Sequence, residues 1–407
     1  MEFGGWWLVT GQVWPRNLST NHQPPSTDHQ LMRIAIIGIG GTGSACARHL
    51  ARAGHDVLML EQFTLNHDLG SSFGESRIIR RTYPDLLYTQ MMNAAYPLWH
   101  ELELEAGEQL FVKSGGTYFG RDGHPDIAAV ITALKATNTP FEHLSSREHN
   151  ARFPGFRLRE GESAVFQADS GFLRASACVR AQVRLAIEHG AHLVEGCRVE
   201  AIERERGLTI ISERDGKRLE HEVDRVVVTA GAWIETLVPA LKPALRVTRQ
   251  QYAYLRITRN AANFAPGKFP VWIDAGGVSG GEMYGFPSDS RVEGVKFAAH
   301  LEGAPVNPET MNREVEPAGI EALREYARER MPDLSGEVVA AKTCLYTNTP
   351  DKDFIIGEER GVVYVSGCSG HGFKFTVLLG KIAADLAVGA MPALDLSRFS
   401  ASRFASA

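Results

Sequence analysis

No stretch of this chain is apolar for long enough to span a bilayer. A membrane helix needs about 20 consecutive apolar residues, and the best run, Phe375–Ala390, is broken by Lys381 and Asp385. A basic excess is missing too. There are 43 Lys and Arg against 48 Asp and Glu, a net charge of −5, whereas a dedicated nucleic-acid binder is normally strongly basic. Neither a membrane nor a nucleic acid is therefore an expected partner. Cysteine is scarce: Cys46, Cys178, Cys197, Cys344 and Cys368 are odd in number, far apart and without a CxxC pair. That argues against a disulfide framework and against a zinc site, so no metal is expected and a reducing cytoplasm is the expected location. Internal repeats and low-complexity segments are absent from the sequence.

What is present is an ordinary globular composition, 44% hydrophobic and 22% charged. A length of 407 residues implies roughly two to three domains. Residues 1–31 stand apart. They carry Trp6, Trp7 and Trp14 beside a polar stretch with Pro24-Pro25, and lack the charged start and apolar core of a signal peptide. A disordered extension, or a start placed too early with Met32 as the natural one, is expected there.

Arg33–Ile37 is continuously apolar and β-branched after its first residue, as a parallel strand covered on both faces would be. Gly38-Ile39-Gly40-Gly41-Thr42-Gly43 follows and fits GxGxxG. A helix then runs through about Ala53, with Gly54 as its C-cap, and Val57–Leu60 forms a second strand. In such a turn Gly38 permits the tight bend, Gly40 lets backbone approach a pyrophosphate, and Gly43 lets the helix pack on the strand. Glu61 lies about 20 residues beyond the turn, where an acid bonds ribose hydroxyls and repels a 2′-phosphate. A dinucleotide is therefore expected, FAD or NAD rather than NADP; the motif alone does not separate those two.

Helical periodicity places further helices over about Leu87–Ala106, Pro125–Thr137, Arg174–His189 and Gly319–Met331, the last stopped by Pro332. Arg225–Ala230 and Val362–Gly367 read as buried strands, and strand-like alternation dominates about 246–300. The expected fold is α/β: a Rossmann-like FAD-binding domain, discontinuous over 32–112, 165–245 and 345–407, with an inserted β-rich α+β substrate domain at 113–164 and 246–344.

Five segments, in order, resemble the monomeric sarcosine oxidase / N-methyltryptophan oxidase family, flavoenzymes of the D-amino-acid-oxidase-like superfamily. Gly70-Ser71-Ser72-Phe73-Gly74-Glu75-Ser76-Arg77-Ile78-Ile79-Arg80 is similar to the family's G-S-x-H-G-[DE]-[ST]-R-x-x-R. Thr229-Ala230-Gly231-Ala232-Trp233 matches a G-A-W element. Tyr284-Gly285-Phe286-Pro287 is followed by Lys296 and His300. Cys344-Leu345-Tyr346-Thr347 and Ser369-Gly370-His371-Gly372-Phe373-Lys374-Phe375 complete the set.

The resemblance implies a role for each. Cys344 carries FAD as an 8α-S-cysteinyl thioether; on residues alone it reads as a small buried hydrophobe. Arg80 and Lys374 hold the substrate carboxylate, and Tyr346 helps line that pocket. Arg77 lies against the flavin ring, with Ser71, Gly231, Trp233, Gly370, His371 and Lys374 among the cofactor contacts. Lys296 sits near flavin N5, where a positive charge favours oxygen reduction. His300 and Tyr284 line the substrate cavity. Ser369–Phe375 is expected to open a long helix whose N-terminus faces the flavin. Phe73 departs from the pattern, because the family usually has histidine there.

The implied activity is FAD-dependent oxidation of a secondary amine or N-methyl amino acid, sarcosine-like. Hydride passes to flavin N5, oxygen is the acceptor, peroxide is the product, and the enzyme is a monomer. The amine must be neutral to react, so activity is expected to rise with pH. Alternatives are oxidation of a cyclic imino acid, a glycated amino acid or a D-amino acid, or a dehydrogenase using another acceptor. A non-catalytic flavin-binding subunit is the non-enzyme alternative, which would have no need of Arg80, Lys374 and Lys296 together.

Overall fold

The first strand, β1 (Arg33–Ile37), is buried at Ile34, Ala35, Ile36 and Ile37. It lies parallel to β2 (Asp56–Leu60) on one side and to Arg225–Val228 on the other. Only a strand covered on both faces uses four apolar residues in succession. Between β1 and β2 runs α1 (Gly41–Arg52), ended by Ala53 and by Gly54 in the left-handed region. The sheet has six strands in the order Ile355–Glu359, Val362–Ser366, Arg225–Val228, β1, β2 and His192–Val194. Its members are parallel except the antiparallel edge strand Ile355–Glu359. In this computed structural model residues 31–404 are described, apart from 206, 279–280 and 290. Save for Leu31, the extension expected over residues 1–31 lies outside the described residues.

A second sheet has eight strands. In order they are Leu334–Asn348, Arg246–Ile257, Val295–His300, Gly281–Gly285, Val271–Val278, Gly116–Arg121, Glu162–Gln167 and Glu142–Ser145. Strand alternation gives it two distinct faces. Phe119, Trp272, Met283 and Phe297 point to one, where they pack with Ile320, Leu323 and Tyr326 of the helix Pro317–Arg330. Tyr118 and Ile273 point to the other, partly covered by Ile127, Val130 and Leu134 of the helix Pro125–Ala136. A separate three-stranded sheet, Arg198–Glu203, Leu208–Arg214 and Lys217–Val223, had no strong sequence signal, because its outward faces are charged.

The expected helices occur as Leu86–Ala106, Pro125–Ala136, Ala175–Glu188 and Pro317–Arg330. One expectation is corrected. Ser369–Phe375 does not open the last helix, which begins at Thr376 and runs to Ala387 after a 3-10 turn over Phe373–Phe375. Ser369 and Gly370 both have positive φ, +42° and +77°, which a right-handed helix excludes. The expected division at 164/165 falls inside the strand Glu162–Gln167, and that at 344/345 inside Leu334–Asn348. Among the described residues no helix is long and apolar enough to cross a membrane.

Candidate active site

A single cavity of about 1100 Å³ runs from the glycine turn to the open face of the large sheet. At its first end the wall is backbone. Gly38 has φ +88°, and a Cβ on Gly43 would fall 2.2 Å from the Gly38 carbonyl oxygen, so α1 starts directly against the turn. The N-terminus of α1 has no side-chain cap, and Gly40, Gly41 and Thr42 line the cavity. The Gly41 amide donates to Ser72 Oγ at 3.0 Å, and the positive dipole end of α1 faces that space, an arrangement suited to an anion. Glu61 follows β2 and is buried; it accepts from the Ile39 amide at 2.8 Å and the Phe63 amide at 3.1 Å. Opposite, the indole Nε1 of Trp233 is buried with no hydrogen-bond partner among the described residues, and Trp233 also lines the cavity.

At the second end the wall is made of side chains that period-2 alternation puts on one sheet face. Tyr118, Ile273, Tyr284 and Ala298 follow one another across four neighbouring strands in register. Glu282 and His300 are a cross-strand pair on the same face. Cys344 and Tyr346, two residues apart on Leu334–Asn348, stand together at the sheet's far edge. Gly370 closes the arrangement: a Cβ there would fall 2.4 Å from Tyr346 Cε2 and 2.6 Å from His300 Cε1. The Tyr284 and Tyr346 hydroxyls are hydrogen-bonded, and burial pushes Tyr284 up to about 12 and Tyr346 well above its ordinary value.

Four cations gather here. Arg80 is buried, donates to the backbone oxygen of Thr82, and lies 4.1 Å from the Tyr83 ring centroid. Lys374 Nζ, also buried, donates to Tyr83 Oη at 3.0 Å and to the His371 carbonyl at 2.7 Å. Burial, and then the charge of Arg80, holds Lys374 well below the usual lysine range. Lys296 Nζ donates to the carbonyl and hydroxyl oxygens of Ser76, both at 3.2 Å, between the rings of Tyr252 (4.4 Å) and Phe286 (4.9 Å). Burial, and then Arg77, lowers it well below its ordinary value. Arg77 donates to the carbonyls of Ser76 and Ser71 at 2.8 and 2.9 Å. The Cys344 thiol is raised by burial, with Arg77 and Lys296 acting against that.

Of the residues given a catalytic, substrate-binding or cofactor role from the sequence, every one except Gly43 lines this cavity. Gly43 instead makes the contact between α1 and the turn. His371 faces the cavity but its ring is held by others. It stacks on Phe354 at 5.0 Å and touches the Lys352 carbonyl and Tyr83 Oη, and burial drives it well below the usual histidine value. Ser71 Oγ donates to the Leu345 carbonyl at 2.6 Å, tying the Gly70–Arg80 segment to the strand that carries Cys344. Phe73 is buried among Tyr252, Tyr254, Ala298 and Cys344. Sequence reading missed Tyr83, Ser76 and Glu282. Tyr83 carries no local signal and Ser76 stands in the Gly70–Arg80 segment without a role read from it, but Glu282 lies two residues before Tyr284, so strand alternation would have placed it on the same face.

Comparison with known proteins places these features in context. The family model described as DAO, FAD dependent oxidoreductase, matches residues 33–386. Monomeric sarcosine oxidase of Streptomyces avermitilis is 33% identical over 388 residues, covering 92% of this chain and 98% of that protein. N-methyl-L-tryptophan oxidase of Citrobacter koseri is 32% identical over 378 residues, covering 91% and 98%. Among solved structures, NikD, described as an unusual amino acid oxidase essential for nikkomycin biosynthesis, superposes with a TM-score of 0.78 at 25% identity, covering 91% of this chain and 97% of that one.

Proposed function

The chain belongs to the DAO family of FAD dependent oxidoreductases, and from that premise we propose that it oxidises a secondary amine or N-methyl amino acid of the sarcosine type. The observation that carries the reading is the continuity of one cavity. It joins a dinucleotide turn to two buried cations set for a carboxylate. The residues present fit FAD. The glycine-lined start of α1 suits the pyrophosphate, Glu61 suits ribose hydroxyls, and the orphaned indole N–H of Trp233 awaits an acceptor. The cavity's volume of about 1100 Å³ lies just above the range of about 300–1000 Å³ usual for ligand sites, room for a dinucleotide and a small guest.

Bound FAD supplies the electron acceptor for the carbon–hydrogen bond next to the amine nitrogen. The protein's part is to bind, orient and dry the substrate. Arg80 offers a planar fork and Lys374 a point charge to the substrate carboxylate. Tyr284, Tyr346 and His300 form the wall that fixes the amine, and Gly370 lets that wall close. His300 is held below its usual value by burial, so it stays neutral near neutral pH and leaves the amine free of a competing charge. Lys296 holds its proton at Nζ between two aromatic faces, where a positive charge favours oxygen as the acceptor and peroxide as the product. Arg77 braces the same region through Ser71 and Ser76. Cys344 is the site of a thioether to the flavin. The enzyme acts as a cytoplasmic monomer.

The test is acid precipitation of the purified protein, followed by a peroxide-coupled screen of N-methyl amino acids. Yellow colour that stays with the pellet, and leaves it in Cys344→Ser, supports the thioether. Peroxide from sarcosine-like substrates supports the activity. A colourless protein that takes up no FAD overturns both.

A further inference from the structure

One charged group in the cavity has no part in the reaction described above. Glu282 lies on Gly281–Gly285, on the same sheet face as Tyr284 and directly across from His300. Its Oε1 accepts from Tyr118 Oη at 3.0 Å, and Asp126 Oδ2 stands 3.3 Å from the same hydroxyl. Tyr118 is fully buried, and both carboxylates line the cavity. Among the described residues neither carboxylate makes an ion pair, although Arg80 and Lys374 line the same space. The Tyr118 ring explains the separation. Arg80 lies 5.5 Å from its centroid, while the carboxylates gather at its hydroxyl end. The site therefore presents the Arg80 cation at the ring of Tyr118 and two carboxylates at its hydroxyl.

Burial pushes His300 and Lys374 towards their neutral forms, and Glu282 works against that at both, so its field reaches the substrate space. Glu282 is half-buried and has no ion-pair partner among the described residues, so a cationic group bound in the cavity would gain a charge-assisted contact with it. We propose that Glu282, braced by Tyr118 and Asp126, is a specificity-determining residue that selects an amino-acid substrate with a cationic side chain. This rests on the proposed function, in which Arg80 and Lys374 take the substrate's own carboxylate and so leave Glu282 for its far end.

The test compares Nα-methyl-L-lysine with Nα-methyl-L-norleucine, which has a side chain of similar length without the charge. Binding is measured by calorimetry on protein whose flavin has first been reduced and kept anaerobic, so that the ligand cannot react, and peroxide is measured separately with the oxidised enzyme in air. The lysine derivative is expected to bind roughly 10- to 100-fold more tightly, the usual span for a hydrogen bond to a charged group. Glu282→Gln should collapse that ratio to near unity, and Glu282→Asp should keep part of it. Equal binding of the two by the unmodified protein, binding of neither, or an unchanged ratio in Glu282→Gln, would overturn the inference. So would an equal tightening of both ligands in Glu282→Gln, which would make Glu282 an internal counter-ion for Arg80 and Lys374. Peroxide from N-methyl amino acids without charge preference sinks this inference alone. Charge-selective binding without peroxide from any of them sinks the proposed reaction and leaves this inference standing.

Discussion

Around Gly38 and Glu61 the cavity is walled mainly by backbone and one carboxylate from a single short βαβ stretch, with Trp233 joining them from a later turn. Around Arg80, Lys374 and His300 it is walled by side chains brought from widely separated segments by one sheet face and a turn. At the first end Gly38 and Gly43 tolerate no added atom, because main chain lies against them. The second is set by identities and charges that can be exchanged one at a time. Substitutions at the first end should therefore remove the cofactor altogether, and those at the second should change the reaction while the cofactor stays.

The largest effect is expected at Gly43. Gly43→Val drives a side chain against the Gly38 carbonyl, where overpacking costs about 1–3 kcal/mol or more. The protein should be recovered without flavin and with a lowered Tm, read by visible absorbance and calorimetry. A Gly43→Val protein that keeps its flavin would break the contrast.

Next comes Lys296→Met. It should leave flavin bound but slow reoxidation by oxygen about 100- to 1000-fold, as removal of one preorganised charge does elsewhere. Because burial lowers Lys296, its charge is lost as pH rises through that lowered value. Substrate reduction of the flavin should therefore speed up with pH as the amine deprotonates, while reoxidation slows. Stopped-flow absorbance separates the two, and identical pH profiles would count against both assignments.

A smaller effect is expected from Arg80→Ala. It should cut kcat/KM for sarcosine-like substrates roughly 100-fold, about 2.7 kcal/mol, chiefly through KM. Glu61→Gln should instead weaken FAD retention and leave that KM alone. Steady-state kinetics at saturating FAD distinguish the two ends.

The smallest concerns neither end. Burial holds His149 down to about 4. The unfolded chain then takes up protons first, so stability is full above the ordinary histidine value near 6.5 and falls as pH drops towards 4. The decline of Tm from pH 7 towards pH 4 should be shallower in His149→Phe than in the unmodified protein.

The first end was legible in the sequence because its determinants are local. Glycine spacing, a β-branched strand and an acid after the second strand all fall within one unit, and the structure finds β1, α1 and β2 where they were expected. The helices were legible from periodicity. The second end was legible only by resemblance, because nothing local says that Arg80, His300 and Lys374 meet. The Ser369–Phe375 turn was misread since two positive φ angles, one of them at Ser369, leave no compositional trace. The charged sheet Arg198–Val223 was missed because its alternation is mostly between charged residues. Phe73 makes sense in its setting, an apolar cluster with Tyr252, Tyr254 and Ala298, although nothing there explains which guest it favours.

The strand Leu334–Asn348 is 15 residues long and holds Cys344 and Tyr346 on one side of the sheet. Thiol and phenol thus share a ruler with a two-residue tick. The strand already shifts register between Leu334 and Ala340, but from Ala340 on its pairing is unbroken, so one residue inserted or deleted between Ala340 and Cys344 inverts the parity of everything downstream. Anchor and pocket wall would turn away together, so evolution at this edge is confined to exchanges of side chain or to steps of two.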